Sequence, residues 1–278
     1  MEVAMPTQAQ KGAAFKALHD RDRAFIIPNP WDVGTARLLQ GSGFEALATT
    51  SAGFAFSVGK PDGGVDRDTM LAHAAAIAAA TDLPVSADLE DGYAVAPDDV
   101  ADTVRRAAIV GLAGCSIEDV ARGRKAPYDI EAAAARVKAA AAAAHAMPFP
   151  FTLTARAENF IVGRPDLRDT IARLRAYEDA GADVLFAPGL SSREDIAEVI
   201  RSVKRPLNVI MGLSGVRFSL DELSALGVKR VSVGSSLART ALGAFMRAVE
   251  EMRTTGTFDF ADTAVKGSEM NAAFAKFA

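Results

Sequence analysis

The chain has 278 residues, of which 50% are hydrophobic and 24% are charged, and its formal net charge is −4. This composition is typical of a globular protein with ample material for a core, and the acidic balance argues against a nucleic-acid-binding protein, which usually carries a basic face. The single Cys115 excludes an internal disulfide, and the chain shows neither a signal peptide nor an apolar run long enough to cross a membrane, so we expect a cytoplasmic protein.

Short apolar runs that favour β-structure alternate with longer helical runs along the chain. A helix is predicted first, near residues 8–20, and a helical tail is predicted near 261–277. The predicted strands are 25–28, 46–50, 84–88, 114–118, 151–156, 184–187, 207–211 and 230–234. The predicted helices between and after them are 33–41, 67–80, 98–111, 129–145, 166–180, 192–203, 219–225 and 236–252.

Eight strand–helix units without a Pro/Gly/Ser-rich linker predict an α/β fold, a (β/α)₈ TIM barrel that forms a single domain over residues 1–278. The alternative is a doubly wound open sheet, which usually has a Gly-rich phosphate turn after its first strand. The first strand here leads instead into Pro28-Asn29-Pro30-Trp31-Asp32. We therefore favour the barrel, with an extra N-terminal helix and a C-terminal helical tail.

Carboxylates follow the third and fourth predicted strands. The first run ends in Asp88-Leu89-Glu90-Asp91, and the second ends in Glu118-Asp119. Acids at the end of a buried strand must emerge where the strand leaves the core, and catalytic groups of barrels sit at that end. Converging carboxylates repel one another, raise their pKa values or share a cation. Mg²⁺ prefers oxygen ligands, so we predict a metal site at Asp88, Glu90 and Glu118.

The alternative for these acids is helix capping or ion pairing at the surface, which we favour for Asp91 and Asp119. Asp62 is a candidate catalytic acid, although Pro61-Asp62-Gly63-Gly64 is also a good turn sequence. Arg156 ends the fifth strand. An arginine is seldom buried without an anion and its planar fork suits a carboxylate, so we favour substrate binding over a salt bridge with Glu158.

Other strand ends supply candidate substrate-binding groups. The small residues Thr50, Ser51 and Ala52 let backbone donors approach an anion closely, but the same segment also fits an ordinary βα turn. Trp31, the single tryptophan, either covers the substrate or packs at the barrel rim. Asn208 lies in the seventh predicted strand.

Blocks of the sequence, taken together in their order, resemble the isocitrate lyase/phosphoenolpyruvate mutase superfamily. They cover nearly the whole chain. The blocks are Asn29-Pro-Trp-Asp-Val-Gly-Thr-Ala36, Thr49-Thr-Ser-Ala-Gly53, Gly59-Lys-Pro-Asp-Gly63, Asp88-Leu-Glu-Asp-Gly92, Gly114-Cys-Ser-Ile-Glu-Asp119, Thr154-Ala-Arg156 and Asn208.

The resemblance implies a Mg²⁺-dependent barrel, with Mn²⁺ as an alternative metal, that acts on α-keto acids or their enolates. It implies that Asp88 contacts the metal directly and that Glu90, Glu118 and Asp62 hold its water molecules. Backbone N–H groups of the segment 50–52 would bind the carboxylate or phosphonate of the substrate, and Arg156 would bind the keto-carboxylate end.

The resemblance also implies that the last helix is exchanged between neighbouring subunits, so we expect a homodimer or homotetramer. The tail itself points the same way, because Phe258, Phe260, Phe274 and Phe277 make it too apolar for a free terminus. We therefore expect residues 257–278 to pack on a neighbouring subunit.

The segment 120–128 departs from the superfamily. Isocitrate and methylisocitrate lyases carry a Lys-Lys/Arg-Cys-Gly-His loop there, whereas this segment has neither Cys nor His. The longer lid with Lys and Asn of phosphonopyruvate-handling members is absent too, although Arg122, Arg124 or Lys125 could supply a cation. The lyases also have a Glu after the position of Phe186, where this chain has Ala187-Pro188.

These features together favour a carbon–carbon lyase that acts on a small anionic α-keto acid or related dicarboxylate through an enolate, by cleavage or decarboxylation. One alternative is P–C bond chemistry on a phosphonate of the phosphonopyruvate or carboxyphosphonoenolpyruvate type. Another is an α-keto acid binding protein with little catalysis. The sequence leaves the substrate and the general acid unassigned.

Overall fold

The computed structural model describes residues 5–123 and 125–277. Within these residues, eight strands form one parallel sheet and eleven α-helices surround it. The strands are β1 (Phe25–Ile27), β2 (Leu47–Ala48), β3 (Val85–Asp88), β4 (Gly114–Glu118), β5 (Thr152–Arg156), β6 (Val184–Phe186), β7 (Leu207–Ile210) and β8 (Arg230–Ser232). The helices are α1 (Gln8–His19), α2 (Val33–Gly41), α3 (Ser51–Ser57), α4 (Arg67–Ala79), α5 (Pro97–Ile109), α6 (Ile130–His145), α7 (Leu167–Asp179), α8 (Arg193–Ser202), α9 (Leu220–Leu226), α10 (Ser236–Thr254) and α11 (Gly267–Phe274).

The sheet curls into a barrel. Its strands follow one another in the order β1-β8-β7-β6-β5-β4-β3-β2, and every paired neighbour is parallel. The two ends of this order meet where the amide of Ala48 donates a hydrogen bond to the carbonyl of Pro28 at 3.1 Å. The predicted (β/α)₈ barrel is therefore confirmed, and each predicted strand and helix has its counterpart.

One short helix, α3, was not predicted. Its first turn is the segment that the sequence suggested as an ordinary βα turn. The hydroxyl of Thr50 accepts a hydrogen bond from the amide of Gly53 at 3.1 Å and so caps the helix. A helix of two turns is too short to show an apolar period, which is why the sequence pattern missed it.

Successive strand residues point alternately to the helices and to the barrel interior. The outward set is apolar and buried under the helices, as Val85, Cys115, Leu153 and Leu185 illustrate. The inward set is largely polar, unlike the branched apolar filling that is usual in such barrels. We call this inward set the polar interior, and its members include Ser86, Ser116, Thr154, Asn208, Arg230 and Ser232.

The last long helix, α10, packs little of its surface against its own chain, and Ala238 is its only buried residue among those described. It leaves apolar side chains in solvent, namely Leu237, Leu242, Phe245, Met246, Val249 and Met252. Further along, Phe274 approaches Gly34 of α2, and the guanidinium of Arg37 lies 5.7 Å from the ring centre of Phe277. The tail therefore packs on α2 within one chain, and its predicted packing on a neighbouring subunit stays a prediction. Among the described helices, none has the length and apolarity that a membrane crossing requires.

A buried histidine makes the stability of the fold sensitive to acid. His19 packs edge-on against Phe15 and Phe25, and its Nδ1 lies 2.8 Å from the carbonyl of Phe15. Burial, followed by the nearby charge of Arg230, lowers the pKa of His19 to about 3. In the unfolded chain the imidazole titrates near its ordinary pKa of about 6.5. Below that pH the unfolded state binds a proton that the folded state does not bind, so the free energy of unfolding falls.

We expect this histidine to cost the protein about 2 kcal/mol of unfolding free energy between pH 7.5 and pH 5.0. His19→Gln should remove that part of the acid sensitivity and no more. Urea unfolding of both proteins at the two pH values measures it. Equal losses in the two proteins would show that the imidazole becomes protonated in the folded state.

Candidate active site

Three carboxylates from neighbouring strand ends meet at one guanidinium. Arg156, the last residue of β5, lies 2.9 Å from Asp88 Oδ1, 3.3 Å from Glu118 Oε2 and 2.8 Å from Glu158 Oε1. Its guanidinium also stands 5.0 Å above the ring centre of Phe186. Asp88 and Glu118 are the last residues of β3 and β4. Asp88 and Glu118 therefore lie close together at the C-terminal mouth of the barrel, as their positions at the ends of neighbouring strands predicted.

The second carboxylate oxygen of Asp88 accepts hydrogen bonds from the first residue of α3. The backbone amide of Ser51 donates to Asp88 Oδ2 at 3.1 Å, and the Ser51 hydroxyl donates to the same atom at 2.8 Å. The hydroxyl of Thr49 accepts from the amide of Asp88 at 2.9 Å. The segment predicted to bind the substrate's anionic group thus faces the site, where its first donors hold a carboxylate.

Glu90 belongs to a second group of polar side chains just beyond β3. Its carboxylate accepts a hydrogen bond from the hydroxyl of Tyr93 at 3.1 Å and lies 3.3 Å from Arg122 Nε. The guanidinium of Arg122 also donates to the carbonyl of Gly63 at 2.8 Å. Arg122 therefore joins the non-standard segment 120–128 to the loop that carries Asp62. Glu90 itself adopts a positive φ of 47°, a conformation that is rare without glycine and that often marks functional sites.

Burial, together with the charge of neighbouring acids, raises the pKa values of carboxyls at this mouth. Burial, and then the charge of Asp88, raises the pKa of Glu90 to about 7. Burial also raises the pKa of Glu118, although Arg156 opposes the rise. The pKa of Asp62 at the mouth is raised by partial desolvation and by Asp88. Of the described residues, five carboxyls and three guanidiniums line the two cavities at this mouth, and such an excess of acids is the electrostatic condition that favours a bound cation.

The donors at this mouth fit Mg²⁺. They are carboxylate and hydroxyl oxygens, which a hard cation prefers. Among the described residues no group of three or more His, Cys, Asp or Glu side chains is arranged so that it could hold a metal ion by itself. Mg²⁺ does not need one, because it usually keeps several waters and takes only one or two protein carboxylates plus oxygens of the substrate.

A cavity of about 240 Å³ opens beneath these groups. It is bounded above by Asp62, Asp88, Arg156 and Glu158, and it continues down into the polar interior as far as Arg230. A second cavity of about 260 Å³ adjoins it on the side of the segment 120–128. Residues that line this second cavity include Asp62, Glu90, Glu118, Arg122 and Arg156.

A larger cavity, of about 510 Å³, lies at the other end of the strands. Its two acids are already paired, Asp20 with Lys16 at 3.2 Å and Asp183 with His145 at 3.1 Å. None of the strand-end carboxylates lines it. Size alone therefore does not identify the site, and the charged cavity at the C-terminal mouth is the candidate.

Most predicted site residues line the two mouth cavities, and one does not. Thr50, Ser51, Ala52 and Asn208 line the cavity beneath Arg156. Trp31 lies instead in an apolar groove with side chains of α10, among them Ala241, Leu242 and Phe245. Its position fits the packing alternative, because Trp31 is absent from the described lining of both mouth cavities.

Asp119 corrects another interpretation. It was expected to cap a helix or to pair at the surface, but it is buried and accepts hydrogen bonds from the Tyr177 hydroxyl at 2.5 Å, from Arg173 at 3.1 Å and from the amide of Glu158 at 2.9 Å. It thus holds the backbone next to Arg156. Sequence reasoning also left Arg230 without a role. An arginine at the start of a strand that the pattern predicts to be buried was the signal that could have drawn attention to it.

A parallel barrel with carboxylates and an arginine at its C-terminal mouth defines an enzyme of the (β/α)₈ class. The sequence profile of the phosphoenolpyruvate phosphomutase family matches residues 15–253. The chain belongs to this family, and with it to the phosphoenolpyruvate mutase/isocitrate lyase superfamily.

Three similar proteins illustrate the relationship. A solved structure of a candidate lyase/mutase from Burkholderia cenocepacia J2315 is 61% identical, has a TM-score of 0.93 and shares 96% of each chain. An uncharacterized protein of Mycobacterium tuberculosis is 37% identical over 80% of this chain and 82% of its own. The structure of 2,3-dimethylmalate lyase, a member of the same superfamily, is 28% identical, has a TM-score of 0.84 and covers 97% of this chain and 95% of its own.

Proposed function

We propose that the protein is a Mg²⁺-dependent lyase that acts on a small α-keto acid or a related dicarboxylate through an enolate. The observation that carries this proposal is the meeting of Asp88, Glu118 and Glu158 at Arg156, above a cavity of about 240 Å³. The similarity to 2,3-dimethylmalate lyase supports cleavage at carbon.

The chain's own residues divide into those that hold charge and those that hold the substrate. Asp88 is the direct metal ligand in this proposal, and Glu90, Glu118 and Asp62 hold the metal's water molecules. When bound, Mg²⁺ supplies positive charge next to the oxygen on which negative charge develops. Arg156, which ends β5 beside these acids, holds the keto-carboxylate of the substrate. The amides at the start of α3 and Asn208 orient the remainder.

The proposed reaction needs an electron sink more than a strong base. In a decarboxylation the bond between the carbon next to the keto carbonyl and its departing carboxylate breaks, the electron pair passes into the enolate as CO₂ leaves, and the enolate is then protonated at carbon. Donors aimed at the developing oxyanion lower the barrier of such a step. This suits a site whose segment 120–128 has no Cys or His, and in which Arg122 supplies a cation beside Glu90.

Product analysis tests the proposal. Purified protein is incubated with oxaloacetate, 2,3-dimethylmalate or phosphonopyruvate, with MgCl₂ or with EDTA, and proton and phosphorus NMR follow the products. We expect metal-dependent cleavage of a carbon substrate well above the rate with MgCl₂ alone. Turnover of phosphonopyruvate only would favour P–C bond chemistry, the alternative to which the matched phosphomutase family points.

We also propose that a second copy of the chain covers the exposed face of α10. Phe245 and Met246 are 64% and 67% exposed there, on a helix that buries little of its own surface. Apolar side chains gathered on one face mark a contact between proteins more often than a free surface. The face continues into the apolar groove that contains Trp31.

Charges on this face should separate the subunits. We expect the double substitution Phe245→Glu and Met246→Glu to lower the mass measured by sedimentation velocity, because a carboxylate cannot be buried there without a partner. Ile109→Glu is the matched control, since Ile109 is 81% exposed on α5, away from that face, and it should leave the mass unchanged. An unchanged mass in the double variant, or a wild-type protein that is already monomeric, would contradict the proposal.

A further inference from the structure

A second arginine lies inside the barrel, below the one that meets the acids. Arg230, the first residue of β8, is only 4% exposed, and it lines the cavity beneath Arg156. Its Nε donates to Asn208 Oδ1 at 2.8 Å, and its Nη1 lies 3.5 Å from His19 Nε2. In the described part of the chain no ion pair joins Arg230 to a carboxylate.

The strand register relates the two arginines. Glu118 pairs with Arg156, Arg156 with Phe186, Phe186 with Asn208, and Asn208 with Arg230. Residues paired in this way across parallel strands have side chains on the same face of the sheet. The row begins at the last residue of β4 and reaches the first residue of β8, so it runs from the mouth into the barrel. Arg156 therefore faces the cavity from above and Arg230 from below.

The two guanidiniums differ in their counter-charges. Arg156 has three carboxylates within 3.3 Å, whereas the nearest polar groups of Arg230 are neutral. Burial, followed by the charge of Arg156, lowers the pKa of Arg230 to about 9, so it remains protonated at neutral pH. His19 cannot compensate that charge, because its Nδ1 faces a carbonyl and its Nε2 only accepts a hydrogen bond.

The surroundings of Arg230 complete a site for an oxyanion. A fully charged arginine is rarely buried without an anion. Ser86, Ser116 and Ser232 line the same cavity, and the hydroxyl of Ser232 already accepts from Asn208 at 3.0 Å. Hydroxyl donors around one uncompensated cation suit a carboxylate.

We propose that Arg230 binds the second carboxylate of a dicarboxylic substrate whose keto-acid end is held at the mouth. This inference rests on the proposed function and sharpens it. A substrate with two carboxylates spans the cavity and compensates the buried charge, whereas a monocarboxylic keto acid reaches only Arg156. The protein should therefore select dicarboxylates.

Calorimetry with two matched pairs of ligands tests the proposal. 2-Oxobutyrate is compared with 2-oxoglutarate, and 2-oxopentanoate with 2-oxoadipate, each in MgCl₂, because neither dicarboxylate is a β-keto acid that could be decarboxylated during the titration. We expect the wild-type protein to bind at least one dicarboxylate about tenfold more tightly than its monocarboxylic counterpart, the gain expected from one charge-assisted contact. Arg230→Met should remove that preference while it changes monocarboxylate affinity less than twofold, and Arg230→Lys should restore part of it.

The outcomes distinguish a failure of the proposed function from a failure of the role proposed for Arg230. No binding of any keto acid by the wild-type protein would refute the proposed function. Binding of keto acids without a preference for two carboxylates, or a preference that survives in Arg230→Met, would refute the role of Arg230 alone.

A second variant covers the case in which Arg230→Met does not fold, which circular dichroism would reveal. Asn208→Asp places a carboxylate where Arg230 Nε now donates to an amide oxygen. This internal counter-ion should abolish the dicarboxylate preference without removing the arginine. A folded Asn208→Asp protein that keeps the full preference would contradict the proposal.

Discussion

Replacing Arg156 by Met should cost the protein both its ligand binding and about 3–5 kcal/mol of unfolding free energy, the loss expected when a buried charge network loses one partner. The side chain is 16% exposed and contacts three carboxylates. Without it Asp88, Glu118 and Glu158 face one another with no guanidinium between them. Urea unfolding in EDTA measures the stability, and calorimetry with MgCl₂ and oxalate measures the binding.

The pH dependence of this variant has a definite sign. Arg156 now opposes the burial-driven rise in the pKa of Glu118 and of Glu158. In the variant both pKa values should rise further above the unfolded value of about 4.3. A folded-state carboxyl pKa above the unfolded one makes stability fall as pH rises. The gap between wild type and variant should therefore be larger at pH 8 than at pH 5.

A double variant provides the control for Arg156→Met. Glu158→Gln keeps the size of the side chain and removes one of the unpaired charges, so adding it to Arg156→Met should recover part of the lost stability. It should recover none of the binding. A gap that does not change with pH, together with no recovery in the double variant, would mean that Arg156 acts mainly through packing on Phe186.

Asp88→Asn should lower kcat/KM by about 10²–10³-fold, the size of the loss when one charged or hydrogen-bonding group of a preorganised site is removed. The substitution keeps the shape of the side chain and leaves Arg156 with its other two carboxylates. The variant should also lose the rise in melting temperature that MgCl₂ causes in the wild-type protein, because it lacks the proposed direct metal ligand.

Asp98→Asn is the matched control, since Asp98 is exposed in the first turn of α5 and lines neither mouth cavity in the described part of the chain. It should keep both the activity and the thermal response to MgCl₂. If Asp88→Asn responded to MgCl₂ as strongly as the wild-type protein does, Asp88 would not be the metal ligand, even if activity were lost.

The barrel could be predicted from the sequence because short runs that favour β-structure alternate with longer helical runs along the whole chain. Asp32 and Ser192 cap helices in the structure, as Asp and Ser often do just before the first turn of a helix. Gly111 and Gly181 adopt the positive φ values of 93° and 102° expected where helices end. Only α3 was not predicted, because the formation of so short a helix depends more on tertiary contacts than on its own sequence pattern.

The convergence of Asp88, Glu118 and Arg156 was also within reach of the sequence, since parallel strands bring their carboxyl ends to one edge. The sequence could not predict which carboxylates form ion pairs with Arg156. Whether Arg156 faces an empty cavity or the side chain of Glu158 depends on rotamers that chain order does not encode. Asp119 was misread for the same reason, because its partners Arg173 and Tyr177 lie on α7, more than 50 positions further along the chain.

The polar interior has a consequence for how this fold tolerates change. Because its centre holds hydroxyls, an amide and a guanidinium, the barrel gains little dispersion energy from its axis, and its cohesion comes from the apolar seam where strands such as β4 and β5 press against their helices. Residues on the axis can then be exchanged for other polar groups without disturbing this apolar seam, provided that the new groups find hydrogen-bond partners. The residues that stabilise the fold and the residues that contact a ligand thus lie in separate layers, so substitutions in the polar interior can change specificity while the apolar layer between strands and helices stays the same.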